Sequence, residues 1–524
     1  MPARSKKVPT AAPPHNRPPT SEEIEGDARK QFDALIAFVK RAPPADRTFF
    51  DFEQALVPLV FALARYLVAL FLCRRHEELD LPTTEAVEGR FYTKSQAQDR
   101  EIATFFGRVR YWRTYMRGAG GGYYPLDRRL KLPAQAFTLF VAGLAGRIAT
   151  KMSYAQTRLL LKCFLGWAPS VTSIERVVLG LGKNTAAWFE QVPPPEDDGD
   201  VLVIMIDSKA TPTATDHELA KRRGKRTKRR RDRSARHRSR TRRERWQAKK
   251  RRKKGDHSKN GRAATLVVMY TLKPAKGPNG RQRLEGPLNR RVYASYAKKR
   301  HAFAVARRDA NRRGFAPGSG KRIQIVVDGE ENFERYAKEF FPEAILTLDV
   351  IHALEYVWKA GRSFHREGSK ALTAWAKAQK ARILDGQIKP VLRELEKRLK
   401  AFPKTGPGNK GKRSRLATAI NYLSKRVRLM NYGELLDQDL EISTGPAEGA
   451  VRYVIGQRFD TAGMRWIPER SEALLQLRCI EVNGQWDEFL RFVESRAGPS
   501  FSIMESAPQP LPTLGVKRKP RKAA

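Results

Sequence analysis

Three carboxylates stand where they could share one chemical task. Asp207 ends the run VLVIMID, Asp328 ends RIQIVVD, and Glu448 lies in TGPAEGAVRYVIGQR. Short runs rich in Val and Ile read as buried strands, so the first two acids are expected at strand tips. Gly445 and Pro446 mark a helix start, which places Glu448 in a first helical turn. The acids are 121 and 120 residues apart, so only the fold can bring them together. Each has a plainer reading. Asp328 before Gly329 suits a turn, Asp207 could open a loop, and Glu448 could serve the helix dipole. Glu441, in the strand-like LEIS, is a rival for the third position.

Composition narrows what such acids would act on. With 524 residues, 41% of them apolar, two or three domains are expected. A net charge of +47 calls for a polyanionic partner, nucleic acid first, because each phosphate that Lys or Arg neutralises releases counterions. Cys73, Cys163 and Cys479 lie far apart, which excludes a disulfide framework and a Cys/His zinc site and fits a reducing, intracellular setting.

The elements that must position the acids follow in order. Residues 1–20 are Pro-rich and basic and read as a disordered arm, and 21–195 read as a mainly helical region. Within it Ala55–Cys73 is nearly long enough to span a membrane. Arg65 at its centre, Pro58, and the flanking Glu53, Arg74 and Arg75 favour a buried or oligomer-forming helix, so no membrane segment is expected. Arg108, Arg110, Arg113 and Arg117 alternate with Tyr111, Trp112 and Tyr115, a mixture that suits either a nucleic-acid grip or a solvated strand face. Ser153–Leu165 and Val171–Leu181, separated by a turn and with Ser170 or Thr172 as cap, have the pattern of a helix-turn-helix.

A sheet domain is expected over 196–351. Val201–Asp207, Ala264–Leu272 and Arg291–Tyr296 read as strands, Phe303–Arg313 as a helix, and Arg322–Val327 as a strand. Asn332–Phe341 reads as a helix and Ala344–Leu348 as a strand ending in Asp349. This β β β α β α β order predicts a mixed sheet covered by helices, with Asp207 and Asp328 as neighbours. It is interrupted at 221–254, where 22 of 34 residues are Lys or Arg against Asp232 and Glu244 alone. Self-repulsion forbids a packed core there, and Arg229, Arg230, Arg231, Lys250, Arg251 and Arg252 are expected to meet phosphate backbone. Residues 352–440 read as a helical insertion, with Ile388, Val391, Leu392, Leu395 and Leu399 on one face and Leu416, Ile420, Leu423, Val427 and Met430 on another. The last part of the core is expected at 441–495 and a disordered basic tail at 496–524.

These residues resemble the ribonuclease H-like core of DDE transposases: an α/β mixed sheet with an all-α insertion before the last catalytic helix, preceded by a mainly helical DNA-binding region. DVIHALEYVW resembles the Asp/Cys-x-x-His signature of Mutator-like transposases, here Asp349 and His352. AEGAVRYVIGQRFDTAGMRW resembles the glutamate block of bacterial insertion-sequence transposases of the ISKra type, on Glu448, Gln457, Arg458, Gly463, Met464, Arg465 and Trp466. The resemblance spans roughly residues 105–478, and its last block is the most specific part. Two departures stand out. Relatives often carry a cysteine pair where this chain has MRGAGGG, and the basic block after Asp207 is larger than the family would lead one to expect.

The resemblance implies a DNA transposase. Its Asp207, Asp328 and Glu448 would hold two Mg2+ or Mn2+ ions for hydrolysis at element ends and strand transfer into target DNA. Asp207 would bridge the ions, Asp349 and His352 would support the site, and Lys209 would reach a phosphate. Arg458, Arg465 and Trp466 would contact DNA, the last two stacking on or clamping a flanking base. Its partners would be transposon ends and target DNA, bound by a homo-dimer or larger assembly in the bacterial cytoplasm at the nucleoid. The rivals are a non-catalytic nucleic-acid-binding protein with a transposase-derived fold and a structure-selective nuclease of ribonuclease H-like fold.

Overall fold

Strand-forming runs of this chain segregate into two sheets, each with its own helices. The computed structural model describes residues 17–41, 48–87, 89–214, 261–277, 281–461, 464–498 and 501–514. The basic block at 221–254, with its six expected phosphate contacts, lies outside the described residues. The chain divides into one unit of residues 1–185 with 485–509 and a second built on 186–484.

In the first unit, β1 (Thr84–Val87), β2 (Arg90–Thr104), β3 (Gly107–Gly118) and β4 (Gly121–Tyr123) form an antiparallel sheet in sequence order. Gly118 pairs with Gly121 across a two-residue turn, and Gly120 and Gly121 have φ of 90° and 130°. The glycines of the MRGAGGG stretch thus close a tight hairpin. The helix Phe49–Glu77 buries Ala69 and Leu72 against Ile102, Val109, Tyr111 and Leu126. Ser21–Lys40 runs antiparallel to it, with Phe38 stacked on Phe52 and the Ser21 N–H donating to Glu77. Capping boxes at Thr20 with Glu23 and at Thr48 with Asp51 start the two helices.

The helical pair read as a helix-turn-helix is present as Tyr154–Leu165 and Val171–Gly182, started by Ser153 and Ser170. Its second helix is buried from Val177 to Leu181. This burial involves the end of the chain, and here the structure differs from the expected division. The helix Trp486–Ser495 and the following segment belong to the first unit, with Trp486, Phe489 and Ile503 at most 2% exposed. A Cβ on Gly180 would sit 2.4 Å from the Ile503 carbonyl oxygen. The segment read as a disordered tail therefore packs around Ser502–Glu505, where Ile503 is buried and glycine admits its backbone.

In the second unit the sheet order is β7-β6-β5-β8-β9, with β5 (Val201–Thr211), β6 (Arg262–Lys276), β7 (Gln282–Ser295), β8 (Arg322–Val327) and β9 (Ile345–Leu348). β5 is antiparallel to β6 and parallel to β8, and β9 is parallel to β8. The central strands are buried on both faces, as their unbroken apolar runs require. The helices Lys299–Arg312 and Glu331–Phe340 make the crossovers. β7 begins before the expected Arg291 because GPLNRR continues as an exposed edge, where Pro287 leaves no inner ladder unpaired. The insertion is helical, from Val350–Gly361 through Asn409–Ser424 to Tyr432–Asp437, and Val391, Leu395, Leu416 and Leu423 form its interior.

Candidate functional site

The parallel ladder between β5 and β8 ends at Ile206 paired with Val327. The next residue on each strand is an acid, so Asp207 and Asp328 emerge side by side. Asp207 is not at a strand tip as expected, because β5 continues to Thr211 along β6. Asp328 does end its strand. Its Oδ1 accepts from the Glu330 N–H at 2.8 Å, and between them Gly329 has a φ of 83°. A Cβ at Gly329 would lie 2.1 Å from the Tyr422 hydroxyl, so this turn demands glycine.

Glu448 lies in the short helix Gly445–Ala450, which packs on β5 and β6 and runs into a π-helical turn at Val451–Gly456. Its charge reaches Asp207. Burial first, then the charges of Asp328 and Glu448, push the Asp207 carboxyl above its usual range against the Ser208 N–H and His352, which lower it. Burial likewise raises Asp328, although the Glu330 N–H and His352 pull it down. Glu441 is committed elsewhere: its Oε1 accepts from the Tyr270 hydroxyl at 2.8 Å, and buried Gln324 holds its backbone through both N–H and carbonyl.

Asp349 directly follows β9, as Asp328 follows β8, and it also caps the helix Val350–Gly361, its Oδ1 accepting from the Ile351 N–H at 3.0 Å. Its Oδ2 lies 2.6 Å from His352 Nδ1 and accepts from the Thr444 hydroxyl at 2.9 Å. Burial alone would raise the Asp349 carboxyl, but these three bonds outweigh it and hold it below the usual range. The bond from Asp349 in turn raises His352, against a smaller opposing effect of burial. The imidazole is thus biased toward its cation, and that charge is felt at Asp207 and Asp328.

The residues that hold this arrangement were not legible as such. Tyr422 donates to the Asp328 carbonyl at 3.0 Å and stacks on Tyr356 with ring centroids 3.6 Å apart. Arg426 covers the Tyr422 ring, donates to the Gly329 carbonyl at 2.6 Å and pairs with Glu334. Nothing in the local pattern of either residue points to the acids, because both act through the insertion's tertiary packing.

The expected DNA contacts fare unevenly. Lys209 pairs with Asp460 at 3.0 Å. Arg458 is 1% exposed and lies against the Trp466 ring, so it is an interior residue here rather than a free phosphate contact. Trp466 donates from Nε1 to the Phe459 carbonyl, packs on the Phe459 ring and forms a backbone bridge to Thr213. Its ring is occupied within the chain, and of the trio only Arg465 is exposed. In the first unit Arg108, Arg110 and Arg113 pair with Glu101, Asp99 and Asp127, which makes most of that arginine row an internally compensated strand face.

The β5–β8 boundary sets two half-buried carboxylates side by side, and carboxylate oxygens are the donor type that hard cations take. Among the described residues, no three His, Cys, Asp or Glu side chains gather closely enough to hold a metal ion. Magnesium is commonly bound through only one or two carboxylates, with water or substrate oxygens filling the rest of its sphere, and Asp207 and Asp328 are two carboxylates at one ladder's end. No protein-family model matches the chain, and no curated protein proves similar to it.

Proposed function

We propose that the second unit processes DNA phosphodiesters as a DDE-type transposase does, on a ribonuclease H-like core. The observation that carries this reading is the adjacency of Asp207 and Asp328 at the last rung of a parallel ladder, with Glu448 on a helix packed against the same strand. The strand order, three antiparallel strands followed by two parallel ones, supports the fold assignment. In this reading Asp207 and Asp328 hold magnesium or manganese, and Glu448 supplies a third oxygen donor. Divalent ions bound there activate the attacking oxygen and neutralise the leaving one. His352 sets a cationic edge beside the acids, and Asp349 is its positioning residue. The net charge of +47 brings the DNA backbone to the protein.

The test is incubation of purified protein with magnesium and labelled DNA carrying the flanks of its own gene, beside Asp328→Ala. Magnesium-dependent 3′ nicking at the flank boundary is expected from the parent and not from the variant, with salt-sensitive binding retained by both. Strand-transfer product separates a transposase from a nuclease that only cuts. That no three donors among the described residues gather closely enough to share an ion favours one second reading, a non-catalytic DNA-binding protein. Binding by both proteins without cleavage by either would select it.

A further inference from the structure

The helix Phe49–Glu77 is long and apolar enough to cross a membrane, yet only 17% of its most apolar stretch is buried. Its buried side, with Arg65, Ala69 and Leu72, faces its own unit, and Arg65 donates to the Phe106 carbonyl at 3.1 Å. The other side carries Phe50, Val57, Val60, Ala64, Leu67 and Phe71, of which all but Ala64 are exposed by 42% or more. Together with Glu53 these positions alternate by three and four residues, the period of a helix seam rather than of a surface that meets solvent. From Phe50 to Phe71 the seam covers about 32 Å at 1.5 Å per residue. The antiparallel partner Ser21–Lys40 exposes Phe32, Ile36 and Val39 at the same spacing.

We propose that this helical hairpin docks on the same hairpin of a second copy of the chain, forming a four-helix dimer interface about a two-fold axis near Ala64. Charge selects this occupant. The seam helix begins with Asp51 and Glu53 and ends with Arg74 and Arg75. An antiparallel two-fold pairing therefore sets the acidic end of each helix beside the basic end of the other, with opposed helix dipoles. Ala64, the smallest side chain of the seam, falls where the two helices approach most closely. The two helices hold eight acids against six Lys or Arg in a chain of net charge +47, so two copies meet on the surface that repels least. A membrane-surface helix instead needs a basic polar face to meet anionic headgroups. This inference does not depend on the proposed chemistry, because association is measured without DNA or metal.

The full chain at high salt, at tens of micromolar, is examined by light scattering after gel filtration. The expected mass is twice the 59.5 kDa of one chain, falling to one chain in Val60→Glu/Leu67→Glu with an unchanged thermal transition. Should the glutamates lower that transition, Val60→Gln/Leu67→Gln removes the apolar seam with good helix formers and carries the same expectation. A monomeric parent overturns the proposal, as does a folded variant that stays dimeric. Flotation of the parent with anionic vesicles, lost in the variant, would assign the seam to a membrane instead.

Discussion

Asp207 carries a cost that its neighbour across the ladder shares. Its carboxyl is raised in the folded chain, so the native state binds that proton more tightly than the unfolded chain does. Folded stability from this group is therefore greatest below the ordinary carboxylate range and is lost as pH rises through the raised value. At neutral pH the ionised acid burdens the metal-free fold, and a cation bound there, as proposed, would relieve it. We expect Asp207→Asn to raise the metal-free melting temperature at pH 7 to 8, with the gain vanishing near pH 3. Magnesium, which should stabilise the parent, should leave this variant nearly unmoved. Scanning calorimetry at the two pH values with and without magnesium checks both. A variant that melts below the metal-free parent at neutral pH would mean that Asp207 is a structural acid.

At the level of elements, one carboxylate does two jobs. Asp349 caps the Val350–Gly361 helix and holds His352, and the two shifts work together. The stability from lowered Asp349 is lost as pH falls through its depressed value, and that from raised His352 is lost as pH rises through its elevated one. Substitution separates the jobs. Asp349→Ala should cost about 1 kcal/mol for the cap, while Asp349→Asn keeps the cap because asparagine serves as well there. Both should return the His352 titration, followed by NMR, toward or below its ordinary value. An unmoved titration in Asp349→Asn would show that another group sets the imidazole.

Much of this scale was legible in the chain. Arg322–Val327 is a strand over the residues expected, and the Ala344–Leu348 run differs from β9 by one residue. Continuous branched apolar runs leave little choice when both faces are buried. Tertiary partners decided the rest. β5 extends beyond Asp207 because β6 offers an edge there, and β7 begins early because its partner tolerates a polar outer face. The buttress of Tyr422 and Arg426 behind Asp328 left no trace in spacing, since 94 residues separate the Tyr422 hydroxyl from the carbonyl it holds. The resemblance implied that Arg458 and Trp466 face DNA, and only packing reveals that they face each other.

For the whole molecule, the first unit is finished by the end of the chain. Trp486 reaches Gly146, and Ile503 lies over Gly180, at places where glycine leaves room. Removing residues 485–524 should uncover two places, at a cost of roughly 3 to 5 kcal/mol for the lost Trp486 and roughly 2 to 5 kcal/mol for the lost Ile503. Calorimetry of that truncation should show the first unit's transition lowered or lost. A transition of unchanged temperature would mean that the C-terminal segment only decorates it.

That closure sets an order of events during synthesis. The first 185 residues leave the ribosome early, but the segment that completes their core follows only after the 299 residues from Ala186 to Gly484. At translation rates of about 5 to 20 residues per second, the wait is on the order of 15 to 60 seconds. Through that interval the helices around Gly146 and Gly180 stand uncovered while the stretch that carries all three acids emerges, Glu448 near its close. The whole of residues 186–484, with the three acids, is therefore in place before residues 485–509 can complete the amino-terminal unit.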